Sequence, residues 1–222
     1  MTLEWPAPES QQLYDLIAPA LAGLPGPLEW SLGGGTALAM WLNHRLSKDI
    51  DLFFENSAAL RLLSPQRNPD TKRITGRWQE PGHYLKFEIA GLGDIDILVT
   101  RTWLEPPSIR TIVSGTPMAV QRPAEIIARK IAYRSAGFKL RDFFDLAALA
   151  RRDFDQIDEL MGLIEAHIDN LRGRWAVLSA RLPERLQREV VPVGDGHLVA
   201  QSLGVLVEKV LSGSQSADGA SS

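Results

Sequence analysis

Asp49-Ile50-Asp51 is the sharpest chemical feature of the chain, and Asp94-Ile95-Asp96 offers a third carboxylate in the same pattern. In an extended strand, side chains two apart share one face, so each carboxylate pair sits about 6.6 Å apart at its Cα atoms. The isoleucine between them takes the opposite face and buries. Two ionised carboxylates on one face repel each other, which favours a hard divalent cation between them. A Mg²⁺ ion held by a carboxylate pair and by substrate phosphates is the arrangement used in phosphoryl and nucleotidyl transfer. A bare Asp-x-Asp is also a common solvated strand edge, so the tripeptide alone leaves both readings open. Asp49 and Asp51 are the first two candidate ligands. Asp96 either completes the metal site or takes the proton from an attacking hydroxyl. Asp94, next to Gly91-Leu92-Gly93, reads as a turn residue.

Gly33-Gly34-Gly35-Thr36 adds context, with Thr36 thirteen positions before Asp49. It joins the alternating strand pattern of residues 28–32 to the helix formers of residues 36–42. Glycines let the backbone approach a ligand closely, and the start of a helix offers unpaired N–H groups to an anion. Thr36 suits the N-cap of that helix. A glycine turn is usually no more than a tight connection. Followed by a two-carboxylate strand it is more specific, because phosphate oxygens would meet backbone donors on one side and a cation on the other. Gly34, Gly35 and Thr36 are therefore candidate nucleotide-binding residues.

These residues are positioned by an alternation of elements. Leu13, Leu16, Ile17, Ala20, Leu21 and Leu24 form one apolar helical face, ended by Pro25-Gly26-Pro27. Then come the strand, the glycine turn, the helix and a second strand over 49–54. Residues 83–90 and 94–100 read as a hairpin across the glycine-bearing turn. Residues 104–114 read as loop with a short strand at 110–113. Helices follow over 123–135, 140–151, 157–171, 182–190 and 198–211, with Pro123 suited to a first turn. The fold class is α+β: a mixed β-sheet flanked by helices, then a helical C-terminal region. The expected organisation is a sheet core over 1–120, a helical region over 121–211 and a disordered low-complexity tail over 212–222.

On the helix from Pro123, Ile127, Lys130, Ile131 and Arg134 fall on one stripe. A lysine on an apolar stripe either snorkels or reaches a buried anion; beside a triphosphate site, Lys130 is assigned to the phosphates. Asp142 and Asp145 stand one helical turn apart, and Arg141 can pair with Asp145. They contact nucleotide or acceptor, or they lock two helices together. Arg45 either neutralises substrate phosphate or pairs with an aspartate. His44 reads as a structural hydrogen-bonding residue. Residues 121–152 hold eight Lys or Arg against three Asp or Glu, a local excess that can steer RNA or a triphosphate or can be an ordinary solvated face. Phe138, Phe143 and Phe144 read as core, with base stacking as the alternative.

Taken together, Gly34-Gly35-Thr36-Ala37-Leu38-Ala39, then His44-Arg45-x-Ser47-x-Asp49-Ile50-Asp51-Leu52-Phe53, resemble the AbiEii/AbiGii toxin family within the DNA polymerase beta-like nucleotidyltransferase superfamily. Lys130 followed by Arg141-Asp142-Phe143-Phe144-Asp145-Leu146 resembles that family's second signature. The resemblance covers about residues 28–150. It implies a nucleotidyltransferase fold and Mg²⁺-dependent transfer of a nucleoside monophosphate from an NTP, with a two-metal site as one option. It also implies an RNA acceptor such as tRNA, and a toxin role in a type IV toxin–antitoxin or abortive-infection system with a cognate antitoxin as partner.

Composition bounds the alternatives. The chain has 222 residues, 45% hydrophobic and 23% charged, with a formal net charge of −3, which argues against a surface that coats nucleic acid throughout. The absence of cysteine excludes disulfides, thiolate metal sites and a cysteine nucleophile, and fits a reducing cytoplasm. There is no secretory signal pattern and no apolar stretch of membrane-spanning length. Three rival readings remain: nucleotidylation of a small molecule, an inert NTP-binding module, and an interaction protein whose Asp-x-Asp is merely solvated.

Overall fold

The structure is a computed structural model that describes residues 2–26 and 28–213. The chain divides into two units, one of Met1–Trp41 and Leu46–Ile126, the other of Leu42–Arg45 and Ile127–Ser222.

The first unit is built on strands β1 (Thr2–Leu3), β2 (Trp30–Gly33), β3 (Ile50–Phe54), β4 (Trp78–Gln79), β5 (Tyr84–Ile89), β6 (Gly93–Val99), β7 (Ser108–Val113) and β8 (Thr116–Gln121). They form one sheet in the order β1-β7-β8-β2-β3-β6-β5-β4. The sheet is mixed: β2 runs antiparallel to β3, whereas β3 and β6 are parallel. Helices α1 (Pro8–Ala22), α2 (Gly34–Leu42), α3 (Ala58–Leu63) and α4 (Pro69–Lys72) are interleaved with the strands. Period-two alternation explains the core. Leu32, Ile50, Leu52, Leu85, Phe87, Ile95, Ile97 and Val120 are fully buried. Their strand neighbours Ser31, Asp51, Phe53, Lys86, Asp94 and Asp96 alternate with them and take the opposite face. α1 buries Leu13, Ile17, Ala20 and Leu21, whereas Leu16, at the edge of the expected apolar stripe, is 38% exposed.

β8 departs from the boundary expected near residues 115–122. Its signal is masked by Pro117, a residue that normally weakens a strand assignment. The hairpin that makes it turns at Ser114 and Gly115, both at positive φ (43° and 87°), as a tight two-residue connection requires. Its other partner is remote in sequence, through the parallel register Leu32↔Val120.

The second unit contains most of α5 (Pro123–Arg134), then α6 (Leu140–Arg152), α7 (Asp155–Asp158), α8 (Met161–Ala166), α9 (Ile168–Ser179), α10 (Leu182–Glu189) and α11 (Gly196–Ser212). The single helix expected over 157–171 is broken into short pieces, because Leu160 and His167 sit between successive turns. α6 is the central helix, with Leu140, Phe143, Phe144, Leu146 and Leu149 fully buried. Phe143 packs edge-on to Phe138 at 4.8 Å and against Trp175 at 5.1 Å, so these rings are core and do not offer a base-stacking surface. α11 ends at Ser212 with Gly213 in the left-handed conformation at φ 65°, a common helix stop. The rest of the expected tail, residues 214–222, lies outside the described residues. Among the described residues no helix is long and apolar enough to cross a membrane.

Candidate active site

The β2–α2 turn fits against β3, the strand that carries Asp51. Gly33 is opposite Asp51 in the β2/β3 register. Gly34 has φ +64°, and a Cβ built there would fall inside the Asp51 carboxylate. A Cβ at Gly33 would likewise strike the Phe53 ring and the Gln121 amide oxygen. Both glycines are therefore demanded by close approach, and Gly34 by conformation as well. α2 begins at Gly34, so its unpaired N–H groups start beside Asp51. Thr36 is not the N-cap. It lies inside the helix, fully buried, and its hydroxyl donates to the Asp49 carbonyl and lies 2.9 Å from the Ser47 hydroxyl. That bond ties the glycine turn to the start of β3.

Asp51 and Asp96 are direct register partners on the parallel strands β3 and β6. Burial, and after it the charge of Asp51, raise the Asp96 carboxyl to about 6. Asp49 precedes β3 and is exposed; its Oδ1 accepts the backbone N–H of Asp94 at 3.0 Å. Gly93 (φ +143°) makes room for it, since a Cβ there would lie 2.7 Å from that oxygen. Asp94 belongs to β6 and is not a free turn residue.

Lys86, which the sequence reading missed, faces this row. It is the register partner of Asp96 across the β5/β6 hairpin. Its Nζ lies 2.5 Å from Asp94 Oδ2 and 3.4 and 3.5 Å from the two oxygens of Asp96. The signal was available: once the hairpin turns through Gly91, the register places Lys86 beside Asp96.

Among the described residues, no three His, Asp or Glu side chains gather into a ready-made metal site. Asp49 is turned to a backbone donor, while Asp51 and Asp96 face each other. That pair suits a divalent cation completed by substrate phosphates: two oxygen donors on adjacent strands, with Asp96 kept from ionising by burial and by the Asp51 charge.

The remaining candidates form a cluster inside the second unit. Asp145 accepts from Arg45 Nε at 2.6 Å and Nη2 at 3.0 Å, from His44 Nε2 at 2.7 Å, and from Lys130. Asp142 pairs with Lys130 at 3.1 Å and Arg134 at 2.7 Å, and accepts the Lys139 N–H at 3.0 Å. Both aspartates are fully buried, and Lys130 is 8% exposed. Burial opposes ionisation of Asp145, yet Arg45 and Lys130 hold its carboxyl well below the usual range. Asp142 is likewise lowered, by Lys130 and Arg134 working against burial. Burial lowers the His44 pKa, so the neutral ring donates from Nε2 to Asp145. Lys130, assigned from sequence to phosphates, thus has its ammonium on two carboxylates. Arg141, the expected partner of Asp145, is exposed, and Asp145 takes Arg45 in its place. The local basic excess is smaller at the surface than in sequence, because Arg129 and Lys130 are buried. Lys139, Arg141, Arg151 and Arg152 remain exposed, and the Arg141 charge is the main reason the Lys139 pKa is lowered.

Solved structures share this fold at low sequence identity. A crystal structure of an inferred nucleotidyltransferase from Helicobacter pylori superposes with a TM-score of 0.50 at 20% identity, covering 93% of this chain and 96% of that one. JHP933 from Helicobacter pylori aligns at TM-score 0.49 and 21% identity over 91% and 90% of the two chains. The mycobacterial nucleotidyltransferase toxin MenT4, from Mycobacterium tuberculosis, aligns at 0.42 and 19% over 71% and 68%. No curated protein matches the sequence significantly. Residues 20–191 match the family model described as nucleotidyl transferase AbiEii toxin, type IV TA system. The chain belongs to this family of nucleotidyltransferase toxins. It is an enzyme that transfers a nucleotidyl group.

Proposed function

We propose that this enzyme uses Mg²⁺ and an NTP to place a nucleoside monophosphate on an RNA acceptor such as tRNA, and that a cognate antitoxin restrains it. The observation that carries the reading is the contact of Gly34 with Asp51, itself the register partner of Asp96. It sets helix N–H donors and a carboxylate pair at one place, as a triphosphate with its cation requires. Gly34 and Gly35 receive the phosphates through backbone N–H groups, and Thr36 holds the turn against β3. Asp51 and Asp96, with Asp49, would hold the ion, which supplies charge neutralisation for the phosphates and the departing pyrophosphate. An acceptor hydroxyl then gives up its proton to Asp96 and forms the new P–O bond at the α-phosphorus, while the bond to the α–β bridging oxygen breaks and pyrophosphate leaves. The assignment of Arg45, Lys130, Asp142 and Asp145 to the nucleotide is supported by the sequence resemblance alone, since these side chains engage one another. The RNA acceptor is supported by exposed Lys139 and Arg141, whose mutual repulsion marks a local positive field.

Incubation of the purified protein with Mg²⁺, each labelled NTP and total RNA tests this. The expected result is label in RNA that vanishes with Asp49→Ala or Asp51→Ala. Label in a small molecule instead of RNA overturns the acceptor, and undiminished labelling by Asp51→Ala overturns the site.

A further inference from the structure

We infer that Lys86 is a resident cation of the carboxylate face: it competes with divalent metal for Asp96, so the site takes one divalent ion where Asp94 and Asp96 would otherwise recruit a second. The inference rests on the nucleotidyltransferase site proposed above and adds a positioning residue to it.

Four strands meet in one row, Gly33, Asp51, Asp96 and Lys86, each the register partner of the next. The row thus runs from the phosphate turn through two carboxylates to an ammonium. Lys86 Nζ is nearly equidistant from both oxygens of Asp96, at 3.4 and 3.5 Å, and closer to Asp94, at 2.5 Å. An ion that takes both Asp96 oxygens must move the ammonium. Asp94 supplies the place to which it moves, because it is already the nearer partner. The lysine stem is flexible and its side chain is 24% exposed, so the shift needs no backbone rearrangement. Lys86 also explains why Asp94 is built into β6 on the same face as Asp96: it anchors the lysine.

Competition of this kind is measurable without turnover. Mn²⁺ is titrated into the full-length, nucleotide-free protein, and bound ion is counted by the loss of the free Mn²⁺ resonance. Lys86→Met is expected to bind Mn²⁺ roughly tenfold more tightly than the parent or to take a second ion, whereas Lys86→Arg keeps the parent's stoichiometry. Asp94→Asn, which removes the nearer anchor and leaves the ammonium on Asp96, is expected to weaken Mn²⁺ binding. Lys86→Met and Asp94→Asn both indistinguishable from the parent, with Asp51→Asn unable to bind, overturns the role of Lys86 alone. Asp51→Asn binding as the parent does overturns the underlying site. Thermal unfolding of each variant confirms that only folded protein is compared.

Discussion

Gly34 and Asp51 compete for the same space: the glycine backbone, at φ +64°, presses on the carboxylate where any side chain would stand. The glycine turn and the aspartate strand β3 are thereby brought into contact by two residues seventeen positions apart.

Gly34→Ala should be worse for activity than for stability. The left-handed conformation costs a non-glycine residue about 1–2 kcal/mol, and the Cβ must displace the Asp51 carboxylate. A shift of that kind at a reacting centre is expected to lower transfer by about 100-fold. Parallel thermal melts and labelling assays check the split.

Asp51→Asn separates function from folding further still. It removes the charge that opposes ionisation of Asp96, so thermal stability in metal-free buffer should hold or rise. Nucleotidyl transfer should fall by at least about 100-fold. A variant that melts lower and transfers normally would contradict both parts.

Lys130→Met leaves two buried carboxylates, Asp142 and Asp145, short of a cation. Breaking one partner of a buried pair costs about 3–5 kcal/mol, visible as a lower urea midpoint. Calorimetry of NTP binding on the folded fraction then tests the phosphate assignment. Loss of affinity supports a direct contact, and unchanged affinity makes Lys130 a brace.

The response to pH has two opposed parts in metal-free buffer. Asp142 and Asp145 are held below the ordinary aspartate value of 3.8. Their stabilisation is therefore complete above pH 3.8 and is lost as pH falls below it. Asp96 is raised to about 6, so the folded state binds its proton more tightly, and stability from this group grows as pH falls from about 6 to 3.8. Melting temperature against pH should show a shallow gain on acidification to about pH 4, followed by collapse. Asp96→Asn should remove the gain and leave the collapse.

Much of the local structure is legible because it is written in short-range periodicity. The alternation in Ile50–Phe54 and in Gly93–Val99 marks two strands and assigns their aspartates to one face. The glycines before α2 mark the turn. β8 escaped because Pro117 hides the strand and its parallel partner β2 lies more than eighty residues away. Lys86 escaped because alternation says which face a residue takes but not what stands opposite.

By itself, then, the sequence determined most of the element types, the faces of the carboxylates, the glycine turn and the family signatures, since each follows from bonded neighbours or from spacing within a few residues. Only the tertiary structure decided which charges meet. Parallel pairing of β3 with β6 set Asp51 beside Asp96, the β5/β6 register brought Lys86 to them, and burial of α6 turned Asp142 and Asp145 toward Lys130 and Arg45. Charged groups find partners through space, and contacts between remote segments leave no periodic trace in the chain.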